Sequence, residues 1–293
     1  MALYNRQRTR PPVSPALVVG LEGWVDAGLG ADTAIRSLLS NAQTEVVATF
    51  DSDALIDYRA RRPVVTITEG INTGLRWQVP ELRLGQDLRG NDVCFLVGPE
   101  PDMRWREFAS CIVELAKELN VRLAVGLGAF PAAAPHTRPI RLAATATDAS
   151  LARQVGSVNG TIEVPAGVEA ALEQAFCAGG IPAVGLWARV PHYVAAMAYP
   201  AAAAALVDGL SSVADLAFDS SALHGAADQA RSRVDALIAE SEEHTQMVRQ
   251  LEISIDAAEG TPLNIGEVPS GDEIAAELQR YLRDEGERRG GME

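Results

Sequence analysis

The chain has 293 residues, which is enough for one large domain with an appendage or for two ordinary domains. Its formal net charge of -14 excludes nucleic acid as an expected partner, because affinity for a phosphate backbone comes largely from basic side chains. Cys94, Cys111 and Cys177 are odd in number and lie far apart in apolar runs, so we expect reduced core thiols rather than disulfides or a thiolate metal site.

The sequence contains no segment that predicts export or membrane insertion. The first twelve residues are polar, carry three arginines and lack the apolar stretch and cleavage site of a secretory signal. The most apolar region, residues 193–207, is rich in alanine and is interrupted by Pro200. It falls short of the roughly 20 strongly apolar residues that a spanning helix needs. We therefore expect a cytoplasmic protein that does not enter a membrane.

The first two-thirds of the chain carry a series of predicted strands. Residues 92–97 form a continuous apolar run, which is typical of a strand covered on both faces. Residues 64–68 are rich in β-branched side chains and favour a strand for that reason. The predicted strands lie at 16–23, 45–50, 64–68, 77–84 (broken by Pro80), 92–97, 122–130, 140–147 and 182–190.

Predicted helices alternate with several of these strands. Asp26 is expected to cap a helix that runs to residue 39. Apolar residues at three- and four-residue spacing predict an amphipathic helix at 105–119, with Asp102 as its expected cap. A third helix is predicted at 168–178, where two glycines end it.

This order of strands and helices predicts an α/β protein, with a parallel sheet layered between helices as a three-layer α/β/α sandwich over residues 1–217. Residues 218–293 are expected to form a helical C-terminal extension with a disordered tail. There, apolar residues recur in steps of four and three over residues 223–255, interrupted by Ser241 and His244, which predicts a packed helical seam. A last short helix is predicted at 274–282.

Polar side chains in four strand-end loops are the candidate ligand-binding residues. Ligands of open α/β sheets usually bind beyond the carboxyl ends of the strands, so these loops are the places to search. The candidates are Glu22, Trp24 and Asp26 in the first loop, Asp57, Arg59, Arg61 and Arg62 in the second, Glu100 and Asp102 in the third, and His136 and Arg138 in the fourth.

Each loop also admits a plainer interpretation. The first precedes a helix N-terminus but lacks the Lys and Ser/Thr of a phosphate-binding loop. The arginines of the second suit an anion or an acidic peptide, yet pairing with the surplus carboxylates is favoured. Glu100 and Asp102 are either paired acids or helix-capping groups, and capping is the commoner role.

His136 is placed where a general base would lie, but no nucleophile motif accompanies it, so no catalytic residue is assigned. The sequence contains no HExxH pair, and the GxG at residues 126–128 is followed by prolines rather than by a helix. We therefore expect neither a metal site nor a nucleotide cofactor.

Four motifs, taken in order, resemble those of one protein family. They are GWVDAG at 23–28, FDSDALIDYRARRP at 50–63, GPEPDMRWREF at 98–108 and GAFPAAAPHTRP at 128–139. Together they resemble the proteasome assembly chaperone 2 family, in its actinobacterial branch, from the first predicted strand to the helical tail. Four ordered motifs are far more specific than any one of them.

The resemblance implies an α/β/α sandwich similar to the phosphorylase/hydrolase-like folds, a helical C-terminal addition and self-association, with a trimer favoured. Eukaryotic relatives are non-enzymatic chaperones that assemble the α-ring of the proteasome, so the resemblance implies protein partners, proteasome subunits among them. Those relatives dock through a hydrophobic-Tyr-any ending. This chain ends Arg-Gly-Gly-Met-Glu and departs from that pattern.

Two functions from different classes stay open at this point. The favoured one is a non-enzymatic binding protein, an assembly chaperone or scaffold that forms homo-oligomers through the helical seam and the strand-end loops. The alternative is an enzyme of the phosphorylase or hydrolase type that acts on a small anionic substrate. It requires that one pocket gather Glu22, Asp26, Arg61, Arg62, His136 and Arg138.

Overall fold

The computed structural model describes residues 3–23, 25–156 and 160–257. Its strands are β1 (Tyr4–Arg6), β2 (Ala16–Glu22), β3 (Glu45–Phe50), β4 (Val64–Thr68), β5 (Ile71–Arg76), β6 (Glu81–Gln86), β7 (Asp92–Pro99), β8 (Leu123–Ala132), β9 (Leu142–Ala146) and β10 (Ala183–Pro191). Its α-helices are α1 (Gly30–Asn41), α2 (Ser52–Leu55), α3 (Trp105–Glu118), α4 (Ala149–Val155), α5 (Val168–Gly179), α6 (Pro200–Ala214), α7 (Ser221–Ala239) and α8 (Glu242–Ala257).

Eight of the described strands form one mixed sheet, in the order β1-β3-β6-β7-β2-β8-β10-β9. The four central strands, β7, β2, β8 and β10, pair in parallel, and the flanking strands pair antiparallel. The expectation of parallel strands therefore holds for the four central strands, whereas the strands at the flanks are antiparallel. At the β6 flank the reason is connection length, because the turn between β6 and β7 spans only residues 87–91, which is too short for a parallel crossover.

The carboxyl ends of the central strands lie along one edge of the sheet. Strand β3 points the same way, because it is antiparallel to β6, which is itself antiparallel to β7. The segments that follow β2, β3, β7, β8 and β10 therefore emerge together. We call this edge the strand-end rim, and it comprises residues 22–23, 25–29, 51–63, 100–104, 133–141 and 192–199.

Side chains of the central strands alternate between two apolar cores, as period-two geometry requires. Ala16 and Val18 face the core that helices α1 and α6 cover, whereas Leu17 and Val19 face the core that α3 and α5 cover. Helices on both faces of the sheet give three layers. The prediction of an α/β/α sandwich with a helical C-terminal part is confirmed.

The helical seam is interrupted. Helix α7 ends at Ala239 and α8 begins at Glu242, so Ser241 lies in the turn between two helices rather than within a continuous one. Leu223 and Val234 of α7 are buried in the core of the sandwich, while Leu237 is 54% exposed. Much of the predicted seam thus packs within the chain itself.

The predicted helix at 274–282 and the tail lie outside the described residues. The division of the chain at residue 217 stays a prediction. Among the described residues, no helix is both long and apolar enough to cross a membrane.

Strand 64–68 is present but does not join the main sheet. It pairs with β5, a strand that the sequence analysis missed, in a separate two-stranded hairpin. The predicted strand at 77–84 begins only at Glu81, directly after Pro80, because proline has no N–H to donate to a ladder. We call residues 64–77 the hairpin arm.

The three cysteines are free, but they differ in exposure. Cys94 is buried in β7, Cys111 is half-buried and Cys177 is exposed. The expectation of a core thiol is therefore wrong for Cys177. Phe176 fills the core, and the next residue of α5 is turned about 100° away from it.

Asp92 joins the start of the chain to the sheet. It is the first residue of β7, and its carboxylate accepts hydrogen bonds from the Arg10 guanidinium and, at 2.7 Å, from the backbone N–H of Val13. The hydrogen bond from Arg10 is the main cause that lowers the pKa of Asp92 to about 2.

We expect Asp92→Asn to lower the free energy of unfolding by about 2 kcal/mol at pH 7, because charge-assisted hydrogen bonds are lost. The folded-state pKa lies below the unfolded one, so this contribution is present above about pH 4 and is lost as the pH falls towards 2. Urea unfolding at pH 7 and pH 3 measures it. Asp228→Asn, at an exposed carboxylate, is the matched control, and an equal loss at both pH values would contradict the expectation.

Candidate binding surface at the strand-end rim

Arg61 links three segments of the strand-end rim. Its guanidinium donates to the carbonyl oxygen of Glu22 at 2.9 Å and lies 3.3 Å from the carboxylate of Asp102. Asp102 also accepts the backbone N–H of Asp57 at 2.8 Å. Four of the predicted candidates, Glu22, Asp57, Arg61 and Asp102, therefore lie together, and Arg61 uses its charge within the chain.

Asp102 does not cap the helix that follows it. Its carboxylate is directed at Asp57 and Arg61, and α3 begins instead after Arg104, which has a left-handed φ of 59°. Arg104 pairs with Glu107 in the first turn. Capping by Asp102 was thus a wrong prediction, because a loop contact over 45 residues of sequence distance took the carboxylate.

Glu100 is buried and supports a different helix from the one expected. Its Oε1 accepts the backbone N–H of Val168, the first residue of α5, whose N-cap Gly167 has no side chain to do so. A Cβ at residue 23 would lie 1.9 Å from Glu100 Oε2, so the close approach of the first loop requires glycine there. Glu100 therefore fastens the loop after β7 to α5.

Asp26 caps α1, although through a longer connection than predicted. A 3-10 turn at Ala27–Leu29 separates it from the helix, and its carboxylate accepts the N–H groups of Ala31 at 2.7 Å and Asp32 at 3.0 Å. Burial raises the pKa of Asp26, and the backbone hydrogen bonds oppose that shift. Trp24 lies outside the described residues.

Arg59 and Arg62 are exposed at the base of the hairpin arm. Within the described part of the chain, neither guanidinium forms an ion pair with a carboxylate. The ring of Tyr58 contacts that of Trp77 with a centroid distance of 4.7 Å, which fixes the base of the arm beside these arginines. The second loop therefore presents two cations to solvent.

His136 and Arg138 join the rim to the C-terminal helices. The His136 ring lies between the Tyr193 hydroxyl, at 2.7 Å, and the Asp235 carboxylate of α7, at 2.9 Å. Arg138 pairs with Asp256 of α8 at 2.7 Å. Both side chains therefore hold the loop after β8 against the helical part of the chain.

These contacts divide the six residues that an enzyme pocket would require. Arg61 is engaged with the loops after β2 and β7, while His136 and Arg138 are engaged with α7 and α8. The Asp26 carboxylate is engaged at the N-terminus of α1 as a helix cap. In the described ranges, no three His, Cys, Asp or Glu side chains are placed to hold a metal ion. The enzymatic alternative stays a prediction, and the contacts of the described residues do not bring these side chains into one shared pocket.

A buried carboxyl group was missed in the sequence analysis. Glu169 Oε1 is enclosed, and no group in the described ranges forms a hydrogen bond with it. A Cβ at Gly126 would lie 1.7 Å from it, so glycine is needed in β8 to make room. Burial, with smaller effects from Glu173 and Glu100, raises the pKa of Glu169 to about 8. The available signal was the pair of glycines at 126 and 185, which are cross-strand partners.

Comparison with known proteins identifies the family. The model of the PAC2 family matches residues 20–238, about three-quarters of the chain. The chain belongs to the PAC2 family. This confirms the resemblance given by the four motifs. No curated protein sequence matches the chain.

Several solved structures superpose closely on this one. A protein of unknown function from Corynebacterium glutamicum is 30% identical with a TM-score of 0.81, covering 87% of this chain and 97% of that one. A Mycobacterium tuberculosis protein of unknown function is 34% identical (TM-score 0.80, 88% and 92%). A proteasome-assembly chaperone homologue of M. tuberculosis is also 34% identical (TM-score 0.74, 80% and 99%).

The buried carboxyl group makes stability pH-dependent. The pKa of Glu169 is raised to about 8 in the folded state, so the folded chain binds more protons than the unfolded chain between about pH 4.5 and 8. Stability from this group is therefore complete below that window and is lost as the pH rises through it. Glu169→Gln replaces the acid by a neutral side chain of the same shape.

We expect Glu169→Gln to match the wild type near pH 4, where the acid is protonated in the folded state and largely so in the unfolded state, and to be more stable by about 4 kcal/mol at pH 9. Chemical unfolding at the two pH values measures the difference. Glu163→Gln, at an exposed position, is the control and should show the wild-type pH dependence. A variant whose stability differs from that of the wild type by the same amount at both pH values would show that the pKa of Glu169 is not raised in the folded state.

Proposed function

We propose that this PAC2 protein is a non-enzymatic assembly chaperone or scaffold of the cytoplasm, which forms homo-oligomers and binds protein partners. The observation that carries the proposal is the hairpin arm. Membership of the PAC2 family and the 34% identity to a proteasome-assembly chaperone homologue support a chaperone-like role.

Every residue of strands β4 and β5 is exposed. Ile67 is 63% exposed, Ile71 67% and Trp77 45%. Val65 pairs with Leu75 on one face of the arm, while Ile71 pairs with Thr68 on the other, so apolar side chains emerge on both faces. An exposed apolar surface of this kind is typical of a site where another protein binds.

The arm needs a partner on physical grounds. A two-stranded hairpin alone is marginally stable in water, and the described part of the chain gives this one no core of its own. Burying one Ile or Leu side chain contributes about 1.5–3 kcal/mol, so covering several of them offsets the cost of ordering the arm. Because both faces are apolar, the partner must accept the arm as an inserted strand pair.

A second copy of the chain is the occupant that we propose for the arm. An arm that reaches into a neighbour forms a heterologous contact, and such contacts close into rings when the rotation permits. A ring of three, in which each protomer lends one arm and receives another, is the state we favour. Oligomerisation would leave the strand-end rim available to other proteins.

We expect the double variant Ile67→Asp/Ile71→Asp to shift the protein from a trimer to a monomer, because charges cannot be buried unpaired in the contact. Light scattering after size-exclusion chromatography measures the mass. Thr68→Asp/Asn72→Asp adds the same two charges to the arm without removing apolar side chains and should weaken the oligomer far less. A monomeric wild type, or a trimeric Ile variant, would refute the role of the arm.

Proteasome α subunits are the partners that the family relationship favours. Arg59 and Arg62, which form no ion pair with the described carboxylates, lie on the rim and suit an acidic surface. We expect the purified chain to form a complex with recombinant α subunits of its own organism. Arg59→Glu/Arg62→Glu should weaken that complex about tenfold and reduce its salt dependence.

Titration by surface plasmon resonance at two salt concentrations measures this effect. Arg36→Glu, on the exposed surface of α1, is the control and should bind like the wild type. If no complex forms at either salt concentration, the proteasome is not the partner, and the scaffold proposal rests on the arm alone.

A further inference from the structure

Arg189, near the carboxyl end of β10, is a cation that is only 8% exposed. Among the residues that the structure describes, no carboxylate forms an ion pair with it, and its Nε has no hydrogen-bond partner. Burial is the main cause that lowers the pKa of Arg189, and the positive charge of Arg141 lowers it further. In a chain with a net charge of -14, a buried arginine of this kind is unexpected.

Arg189 lies in a recess between the loop after β8 and the end of α8. The walls are formed by Pro135, Pro139, Ile140 and Ile255, and the recess encloses about 280 Å³, including the solvent at its mouth. The enclosed part of that space has room for only about one water-sized group, so the recess suits a single small group.

The acidic side chains close to the recess are already in use. Asp256 and Glu252 accept from Arg138, whose guanidinium they hold at 2.7 Å and 3.1 Å. Neither is among the groups that shift the pKa of Arg189. A buried guanidinium stays charged, because it does not lose its proton in proteins, so it requires an anion rather than neutralisation.

We propose that the recess around Arg189 binds a small oxyanion, either inorganic phosphate or a carboxylate. A guanidinium presents donors in a planar fork that matches both groups. Two prolines hold the wall rigid, which reduces the entropic cost of binding. Neither the four-motif resemblance nor the hairpin arm is needed for this site.

Thermal unfolding of the full chain tests the proposal. Sodium phosphate and sodium acetate are each compared with sodium chloride at equal ionic strength and pH, and the two anions separate the two sources of ligand. We expect one of them to raise the Tm of the wild type by about 5 °C or more once it exceeds its Kd 100-fold. Arg189→Met should lose that response.

Two further variants keep the result interpretable. Arg36→Met removes an exposed, paired arginine and should respond like the wild type, which controls for general salt effects. Arg189→Lys retains the charge without the fork and should respond with at least tenfold weaker affinity. It also serves if Arg189→Met does not fold.

Two outcomes overturn the site. One is an equal response of the wild type and Arg189→Met, which is a salt effect unrelated to the recess. The other is a wild type that responds to neither anion. In that case, a loss of stability in Arg189→Met in chloride would assign the guanidinium to a carboxylate of the chain itself.

Discussion

The parallel pairing of β7, β2, β8 and β10 is the constraint on which the rest of the structure depends. Because these strands share a direction, every segment that leaves their carboxyl ends lies on one edge of the sheet. Loops that are far apart in sequence can then bond to one another, as Arg61 does with Glu22 and Asp102.

Acidic side chains along the strand-end rim support the fold in two different ways. On one half, the acidic groups serve the fold: Asp26 caps α1 and Glu100 supports the start of α5. On the other half, Asp235 and Asp256 of the C-terminal helices hold His136 and Arg138. The helical part therefore acts as a brace for the loop after β8. In each of these cases, a side chain that suggested binding or catalysis in the sequence forms contacts that hold a loop in place.

The layers of the fold could be predicted from the sequence, because the apolar runs of β2, β7, β8 and β10 and the spacing of α3 report burial directly. The antiparallel flanks and the detached arm could not, since pairing direction and sheet membership depend on contacts between distant segments. The loops that carry the candidate residues could be predicted from the sequence, but the residues that they contact could not. Arg189 was overlooked because it lies within the apolar run PAVGLWARV. A signal was available there, since a charged side chain stood at a strand position that should face a core.

Glu169 and Arg189 show why two buried charges on neighbouring elements have different consequences. By strand periodicity, Gly185, which adjoins Glu169, and Arg189 lie on the same face of β10. The carboxyl group can avoid the cost of burial by taking up a proton, and its raised pKa of about 8 is the sign of that escape. The guanidinium has no such escape, because it keeps its charge at any pH that the protein survives. Of the two, only the arginine requires a partner from elsewhere, and this asymmetry makes its recess a binding site while the glutamate is a determinant of stability.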